Sequence, residues 1–173
     1  MMLKKLFGLD KKNKQEVTNE VSSVQVMSPL TGSFVQISEV PDPTFSEKMM
    51  GDGVAIRPDN GQVVSPIDGE IIQLFPTKHA IGIKSKNGAE VLIHIGLETV
   101  KMNGEGFVAH VKEGDQVKVG DPLIDFDLEL VKQKANSTIT PMVITNQDDL
   151  KEVKVLSAEH VEAGATPVID IQA

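Results

Sequence analysis

The 173-residue sequence contains no cysteine, no tryptophan and no tyrosine. Without cysteine the chain has neither disulfides nor a thiolate metal site, which fits a reducing compartment. Without tryptophan and tyrosine it lacks the usual platforms on which nucleic acid bases stack. These absences count against a disulfide-stabilised secreted domain and against a nucleic-acid-binding protein.

Charge and hydropathy exclude further classes. Asp and Glu number 25 against 17 Lys and Arg, which gives a formal net charge of −8. A chain this acidic is a poor partner for nucleic acid phosphates. No apolar run is long enough to span a bilayer, and no convincing secretory signal is present. We therefore expect a cytoplasmic protein with enough residues for one domain and a real core.

The first 24 residues differ from the rest. Residues 1–14 carry five lysines and one aspartate, so the net charge of their side chains is +4. Because the whole chain has a net charge of −8, the remaining residues carry a net charge of −12. Two interpretations stand for this leader: a short basic amphipathic helix at the inner membrane surface, and a polar segment, since so short a helix is marginal in water. The sequence of residues 15–24 is typical of a linker. We therefore expect a leader and linker over residues 1–24 and a domain over residues 25–173.

From Val26 onward the chain is built of short apolar runs separated by Gly and Pro. The runs are rich in Val and Ile, which is typical of strands. The pattern predicts an all-β fold, a compact antiparallel sandwich or barrel. Short helical turns are predicted at residues 46–50 and 128–134, the second with Asp127 as its cap.

Two internal echoes predict that the β unit is duplicated. Residues 26–37 and 63–74 share the pattern apolar-apolar-Ser-Pro-apolar-x-Gly-x-apolar-apolar-Gln-apolar. A second echo links residues 117–126 with residues 161–171, with one inserted residue. Proline cannot donate to a β ladder and glycine allows sharp bends, so both mark strand starts and corners.

His94 lies in the middle of the apolar run over residues 88–100. Such a run is typical of a strand buried on both faces. A histidine there needs a reason, because its side chain is polar and titrates near neutral pH. A second histidine, His79, stands at the far end of the preceding strand-like run.

An Asn87-Gly88 pair between the two runs predicts a hairpin with a two-residue loop. This loop would place Ile81 opposite His94. His79 and His94 would then share one face of the sheet as diagonal neighbours, together with Leu92. A slip of one residue would separate them, so the prediction depends on the register.

Two neighbouring neutral imidazoles predict phosphoryl chemistry. Attack by the lone pair of His94 on a phosphoryl group gives a phosphohistidine, and His79 would hydrogen-bond the phosphoryl oxygens. Thr77 would fix the tautomer of His79, and the Gly96 carbonyl would do so for His94. No phosphate-binding G-x-x-x-x-G-K-[ST] motif is present, which favours another protein over a nucleotide as donor.

The histidines have other interpretations. A histidine in a strand is often a hydrogen-bonded core residue. The two histidines could instead be zinc ligands, which would require a third ligand from elsewhere in the chain. Asp42 or Glu98 would supply a carboxylate in a zinc hydrolase. Neither H-x-x-x-H nor H-E-x-x-H occurs. We therefore expect no functional metal, although adventitious zinc binding at the pair stays open.

A carrier domain of the biotinyl or lipoyl type is the third alternative. Residues 111–121 have the composition of such β domains, which present a lysine at a hairpin tip, usually beside a methionine. Lys101-Met102 is the only adjacent pair of this kind. It follows the His94 strand directly, which counts against this interpretation. His110 and His160 lie near predicted turns, where we expect solvated side chains.

The sequence around His94 resembles the glucose-type enzyme IIA family of the bacterial phosphoenolpyruvate-dependent sugar phosphotransferase system. Residues 88–100 fit every position of that family's pattern: Gly, two free positions, three apolar residues, His, apolar, Gly, apolar, any, Thr, apolar. Further matches are Thr77-Lys78-His79-Ala80, Val40-Pro41-Asp42, Gly51-Asp52-Gly53, Gly104-Glu105-Gly106-Phe107, Asp125-Phe126-Asp127-Leu128 and Thr140-Pro141. The resemblance covers about residues 25–171.

The resemblance implies a cofactor-free β-sandwich carrier and a phosphotransferase component. His94 would accept a phosphoryl group from the phosphocarrier protein HPr and pass it to the IIB domain of a sugar permease. His79, with Thr77, would contact the group without being phosphorylated. A transient donor–acceptor role leads us to expect a monomer.

The resemblance also implies a shallow apolar docking patch flanked by acidic residues. The patch residues carried over by position are Phe45, Met50, Phe75, Leu92 and Val100. Asp42 and Glu98 would flank the site. Leu92 and Ile95 depart from many relatives, which have phenylalanine beside the active histidine, so the shape of the patch is expected to differ.

Overall fold

The computed structural model describes residues 22–173 of the chain. The leader over residues 1–14 and most of the predicted linker lie outside the described residues. The first strand, β1, spans Ser23–Met27 and so includes the last two residues of the predicted linker. Within residues 22–173 there is no helix long and apolar enough to cross a bilayer.

Thirteen further strands follow β1 in the described part of the chain. They are β2 (Gly32–Gln36), β3 (Gly53–Pro58), β4 (Gln62–Val64), β5 (Gly69–Leu74), β6 (Ala80–Ser85), β7 (Glu90–His94), β8 (Phe107–Ala109), β9 (Gln116–Val117), β10 (Pro122–Phe126), β11 (Thr140–Ile144), β12 (Glu152–Val155), β13 (His160–Val161) and β14 (Pro167–Gln172). They form one eight-stranded sheet and two three-stranded sheets, in which every strand pair is antiparallel. The predicted all-β antiparallel fold is confirmed.

Two short helices interrupt the strands. Helix α2 spans Leu128–Lys134 as predicted, and the Asp127 side chain caps it by accepting from the Leu130 amide at 3.1 Å. The other helical turn, predicted at residues 46–50, lies instead at Pro43–Ser46 (α1). Pro43 occupies its first turn and Asp42 is the cap, because proline pre-sets the helical φ and needs no hydrogen bond there. Three short 3₁₀ turns span Ile37–Glu39, Thr99–Met102 and Gln147–Asp149.

The predicted duplication is visible in the strand order. The large sheet runs β13-β2-β3-β11-β7-β6-β5-β9, and the small sheets run β1-β14-β12 and β4-β10-β8. Strands β4 to β10 form an inner unit, inserted between β3 and β11. The strands on either side, β1 to β3 and β11 to β14, form an outer unit with the same order. The two units meet where β7 pairs with β11.

The repeated Ser-Pro motif makes the same contacts in both units. Ser28 donates its hydroxyl to the Leu30 carbonyl, and Ser65 donates to the Ile67 carbonyl, each at 2.7 Å. Both serines are fully buried. The motifs also bind each other, since the Met27 amide donates to Pro66 and the Val64 amide donates to Pro29, both at 2.9 Å. The echo in sequence is therefore a structural repeat.

The strand registers give the equivalent positions. Gly53 of β3 lies opposite Val143 of β11, as Ala80 of β6 lies opposite His94 of β7. Val143 is therefore the outer-unit counterpart of His94. Asp52 is likewise the counterpart of His79, and the backbone carbonyls of both residues accept equivalent hydrogen bonds. The Ile144 amide donates to the Asp52 carbonyl at 2.9 Å, and the Ile95 amide donates to the His79 carbonyl at 2.7 Å.

The buried apolar residues form a main core and a smaller second cluster. The second cluster lies on the opposite face of the large sheet, because its members alternate with main-core residues along β6, β7 and β11. Its buried members are Val35, Ile37, Val40, Phe45, Ala55, Ala80, Leu92, Leu97, Ile139 and Val143, with Met50 and Phe75 packed against them. Both site histidines contact this cluster through its aromatic rings.

Candidate active site

His94 is the last residue of β7 and is half-buried. Its Nδ1 atom lies 2.8 Å from the carbonyl oxygen of Gly96. Because a carbonyl only accepts, Nδ1 must carry the proton and donate it. The lone pair of the neutral ring is then on Nε2, which is the atom free to react.

The hairpin between β6 and β7 differs in register from the prediction by one residue. The sequence predicted Ile81 opposite His94, which is wrong: Ala80 lies opposite His94. The cause is the loop length. The Ser85 amide donates to the Ala89 carbonyl at 2.9 Å, so the loop has three residues rather than the two expected for Asn-Gly.

His79 reaches His94 by a different route from the predicted one. In the observed register, alternation along β6 would direct residue 79 to the face away from His94. However, β6 begins only at Ala80, and His79 belongs to the preceding turn, where Lys78 has a φ of 60°. The two imidazole centroids lie 4.9 Å apart, nearly perpendicular at 83°. The predicted proximity is thus observed, and the turn produces it.

Thr77 lies in the same turn, two residues before His79. Its Oγ1 is 2.5 Å from Nδ1 of His79. The turn itself is closed by the Lys78 amide, which donates to Phe75 at 2.7 Å, and by the Phe75 amide, which donates to Ala80 at 3.1 Å. The threonine hydroxyl and the His79 ring therefore form one locally fixed unit.

Burial keeps both rings neutral. The side chain of His79 is only 3% exposed. This desolvation, together with the nearby charge of His94 when protonated, lowers the pKa of His79 to about 4. Burial also lowers the pKa of His94, while the Gly96 carbonyl and the Asp42 carboxylate oppose this shift. At pH 7 the pair is therefore two neutral imidazoles.

Two phenylalanines hold the imidazoles in place. The Phe45 ring, on α1, lies 5.2 Å from the His94 ring between centroids and is tilted by 57°. The Phe75 ring lies 5.4 Å from the His79 ring in an edge-on arrangement. Both distances are in the range where aromatic rings pack favourably. The site is thus apolar on the sides that these rings cover.

The predicted docking residues divide by exposure. Phe45 and Leu92 are buried, while Met50 and Phe75 are partly buried against the second cluster. Val100 is 53% exposed. Met49, which adjoins Met50 in the chain, is 71% exposed.

Asp42 and Glu98, the predicted flanking carboxylates, line one cleft of about 370 Å³. Asp42 caps α1 by accepting from the Thr44 amide at 3.0 Å. Glu98 accepts from the Asn136 side chain at 2.5 Å and adopts a left-handed φ of 60°. Asn136 and the adjacent Ser137 complete the cleft wall. Sequence reasoning missed both, since their only signal is a polar run just before β11.

The alternatives find little support in the structure. Within residues 22–173 no three His, Cys, Asp or Glu side chains are grouped so as to hold a metal ion, as a zinc hydrolase would require. Lys101 and Met102 lie in a 3₁₀ turn, and Met102 is buried. A lysine carrier would need this pair at an exposed hairpin tip.

The other two histidines are exposed, as expected. His110 pairs with Asp125 at 3.1 Å and His160 with Asp59 at 3.2 Å. His110 also lines a groove of about 690 Å³ in the inner unit, which contains neither His79 nor His94. The size of this groove does not identify it as the reactive site, because the paired buried imidazoles lie elsewhere.

A neutral imidazole with a free Nε2, beside a second imidazole and on an antiparallel β scaffold, defines a nucleophile that can take up a phosphoryl group. The class of protein is therefore a phosphoryl carrier. Comparison with known proteins agrees with this class. The family model of the phosphoenolpyruvate-dependent sugar phosphotransferase system, EIIA 1, matches residues 24–150.

The relatives cover nearly the whole chain. A PTS system glucose-specific EIIA component from Halalkalibacterium halodurans is 60% identical over 171 residues, which is 99% of this chain and 98% of the relative. The protein of the same description from Bacillus cereus is 58% identical over 170 residues, 98% of each chain. The solved structure of glucose permease IIA from Mycoplasma capricolum is 36% identical, with a TM-score of 0.80, and the match covers 86% of this chain and 95% of that one.

The chain belongs to the EIIA 1 family of the phosphoenolpyruvate-dependent sugar phosphotransferase system. It is a phosphoryl carrier of that system and hence a phosphotransferase component. The family resemblance predicted from residues 88–100 is confirmed.

Proposed function

We propose that His94 accepts the phosphoryl group through its Nε2 atom. The observation that carries this proposal is the hydrogen bond from Nδ1–H of His94 to the Gly96 carbonyl. This bond holds the proton on Nδ1 and leaves the lone pair on Nε2. Burial, which lowers the pKa of His94, keeps that lone pair unprotonated at pH 7.

In the transfer step, Nε2 forms a bond to phosphorus while the bond from phosphorus to the donor breaks. The electron pair of the broken bond returns to the donor. The Nδ1 proton stays in place, so the ring of the phosphohistidine carries positive charge. The Gly96 carbonyl and the Asp42 carboxylate favour that charge, as they favour the protonated ring.

His79 stabilises the transferred group without being phosphorylated. Its Nδ1 is occupied by the Thr77 hydroxyl. When that hydroxyl donates to Nδ1, the ring proton lies on Nε2 and can be donated to a phosphoryl oxygen on His94. The separation of 4.9 Å between the ring centroids supports this contact. The lowered pKa, about 4, keeps His79 a neutral donor.

The phosphoryl donor is HPr and the acceptor is the IIB domain of a sugar permease, by membership of the family. Glucose is the proposed sugar, because relatives named glucose-specific match at 60% and 58% identity over nearly the full chain. The protein acts in the cytoplasm and needs no cofactor for the transfer.

Both partners dock around the histidines, on the exposed surface of Val100 and on Met50 and Phe75, which pack against the cluster that contains the buried Phe45 and Leu92. The exposure of Val100 and the packing of Phe45 and Phe75 on the imidazoles support this position. The carboxylates of Asp42 and Glu98 would attract a basic partner and repel the phosphoryl group, which favours its onward transfer. Docking should therefore weaken as salt concentration rises.

Intact-mass spectrometry tests the proposal after incubation with phosphoenolpyruvate, enzyme I and HPr. The wild type should gain one acid-labile phosphoryl group, His94→Ala should gain none, and His79→Ala should still gain it. His160→Ala serves as the matched control, because His160 is exposed and outside the site. A wild type without mass gain, or a His94→Ala variant that keeps it, would overturn the proposal.

A further inference from the structure

The backbone of residues 95–97, which follows His94, is hydrogen-bonded at every amide and carbonyl. The Ile95 amide donates to the His79 carbonyl, and the Ile95 carbonyl accepts from the Thr99 hydroxyl. The Gly96 amide donates to the Thr140 hydroxyl, and the Gly96 carbonyl accepts from the His94 ring. The Leu97 amide donates to the Ser137 carbonyl, and the Leu97 carbonyl accepts from the Asn136 amide. Complete pairing is what a buried, fixed segment requires. Gly96 is therefore hydrogen-bonded to His94 through its carbonyl and to Thr140 through its amide.

Thr140 is the first residue of β11 and is fully buried. Its hydroxyl accepts from the Gly96 amide at 3.3 Å and donates to the Thr138 carbonyl at 3.0 Å. The donated bond orients the hydroxyl so that its lone pair faces Gly96. The threonine side chain therefore links β11 to the peptide that holds His94.

The outer unit shows that the fold itself does not need this hydroxyl. By the register between β7 and β11, Thr145 is the counterpart of Gly96 and Val91 is the counterpart of Thr140. The Thr145 amide continues the ladder by donating to the Glu90 carbonyl at 2.9 Å. Gly96 instead leaves the strand with a φ of 69°, and the Thr140 hydroxyl replaces the missing ladder acceptor.

We propose that Thr140 is a positioning residue for phosphoryl transfer at His94. By fixing the Gly96 amide, its hydroxyl fixes the orientation of the Gly96 carbonyl, and that carbonyl holds the His94 proton on Nδ1. Without the hydroxyl, the Gly96 amide is buried without a partner, and rotation of the segment to relieve this moves the carbonyl away from Nδ1. The proposal rests on the proposed function, in which Nε2 of His94 is the nucleophile.

The test compares Thr140→Val with Thr140→Ser. Valine keeps the shape and is accepted at the equivalent Val91, whereas serine keeps the hydroxyl. The first readout is the ring tautomer of His94 in the unphosphorylated protein, from multiple-bond ¹H–¹⁵N spectra; the second is the initial rate of phosphorylation by HPr. Thr140→Val should raise the fraction of His94 with its proton on Nε2 and slow transfer about tenfold, the equivalent of one lost hydrogen bond. Thr140→Ser should stay within about twofold of the wild type.

Ser65→Ala is the matched control, since it also removes a fully buried hydroxyl bonded to a carbonyl, but outside the site. It should change neither the tautomer nor the rate. If Thr140→Val does not fold, Thr140→Ala is judged by the same readouts. A folded variant with the wild-type tautomer and rate would overturn the positioning role. A wild type that takes up no phosphoryl group would overturn the proposed function itself, which is a distinct outcome.

Discussion

The two units of this fold share a backbone frame but differ in chemistry. In the inner unit, His79 and His94 stand where the outer unit has Asp52 and Val143. The Ile95 and Ile144 amides donate to the equivalent carbonyls in both. The shared backbone structure alone therefore does not account for the site. Two side chains, and a local departure of the backbone after His94, distinguish the proposed phosphoryl acceptor from the equivalent strand end in the outer unit.

Of the positions at which the two units differ, His79 should have the largest effect on the rate of phosphoryl transfer. His79→Asn should slow transfer from HPr roughly 10²-fold, the order lost when a positioned donor to a developing charge is removed. Asp52→Asn, at the equivalent place in the outer unit, should leave the rate within about twofold. Stopped-flow or rapid-quench phosphorylation assays would measure both. Equal rates in the two variants would mean that His79 has no role in the transfer.

Gly96 is the next place where the units diverge. Its φ is 69°, and an added Cβ would lie 2.7 Å from a Thr99 methyl carbon and 2.9 Å from the Ser137 carbonyl oxygen. Gly96→Ala should therefore lower the free energy of unfolding by about 3 kcal/mol, from left-handed strain and overpacking together. Gly88→Ala is the control: Gly88 also has positive φ but open space around it, so only strain of about 1 kcal/mol applies. Similar losses in urea denaturation would contradict the tight packing around Gly96.

The pH dependence of stability should reflect the inner unit. Because the pKa of His79 is about 4 in the folded protein and 6.5 ordinarily, the unfolded chain binds more protons between these values. Stability should thus fall as pH is lowered from 6.5 towards 4, and this contribution should level off below that. His79→Gln should reduce the slope of the free energy of unfolding in this window. An unchanged slope in His79→Gln would show that His79 does not titrate as a buried group.

The smallest effects should occur where the units are alike. Ser28 and Ser65 are both fully buried and donate over the same 2.7 Å to equivalent carbonyls. Ser28→Ala and Ser65→Ala should each cost about 1 kcal/mol of unfolding free energy. The two losses, measured by denaturant titration, should agree within about 0.5 kcal/mol. A clear difference would show that the repeated motif is not energetically equivalent in the two units.

Local signals in the sequence predicted much of this molecule. Short Val- and Ile-rich runs gave the antiparallel fold, and Asp127 before residues 128–134 gave the cap and the helix. The repeated Ser-Pro motif gave the duplication. Each of these signals is a pattern in a short segment, or its recurrence in a second segment, so it can be recognised in the sequence without knowing which strands pair.

The remaining features depend on contacts that neighbouring residues do not encode. The Asn87-Gly88 pair permits loops of two or three residues, so the register between β6 and β7 was predicted one residue out of place. Because His79 lies in a turn rather than on a strand, the histidines still meet. Thr140 is 46 residues from His94 along the chain, and only the pairing of β7 with β11 brings it to Gly96.

In the proposed mechanism, Nε2 of His94 attacks phosphorus while the Gly96 carbonyl holds the proton on Nδ1. NMR of the phosphorylated protein, labelled with ¹⁵N at histidine, would test it most directly, because coupling between ³¹P and ¹⁵N identifies the bonded nitrogen. Phosphorus is expected on Nε2 of His94, with a proton retained on Nδ1. Phosphorus on Nδ1 of His94, or on any other histidine, would contradict it.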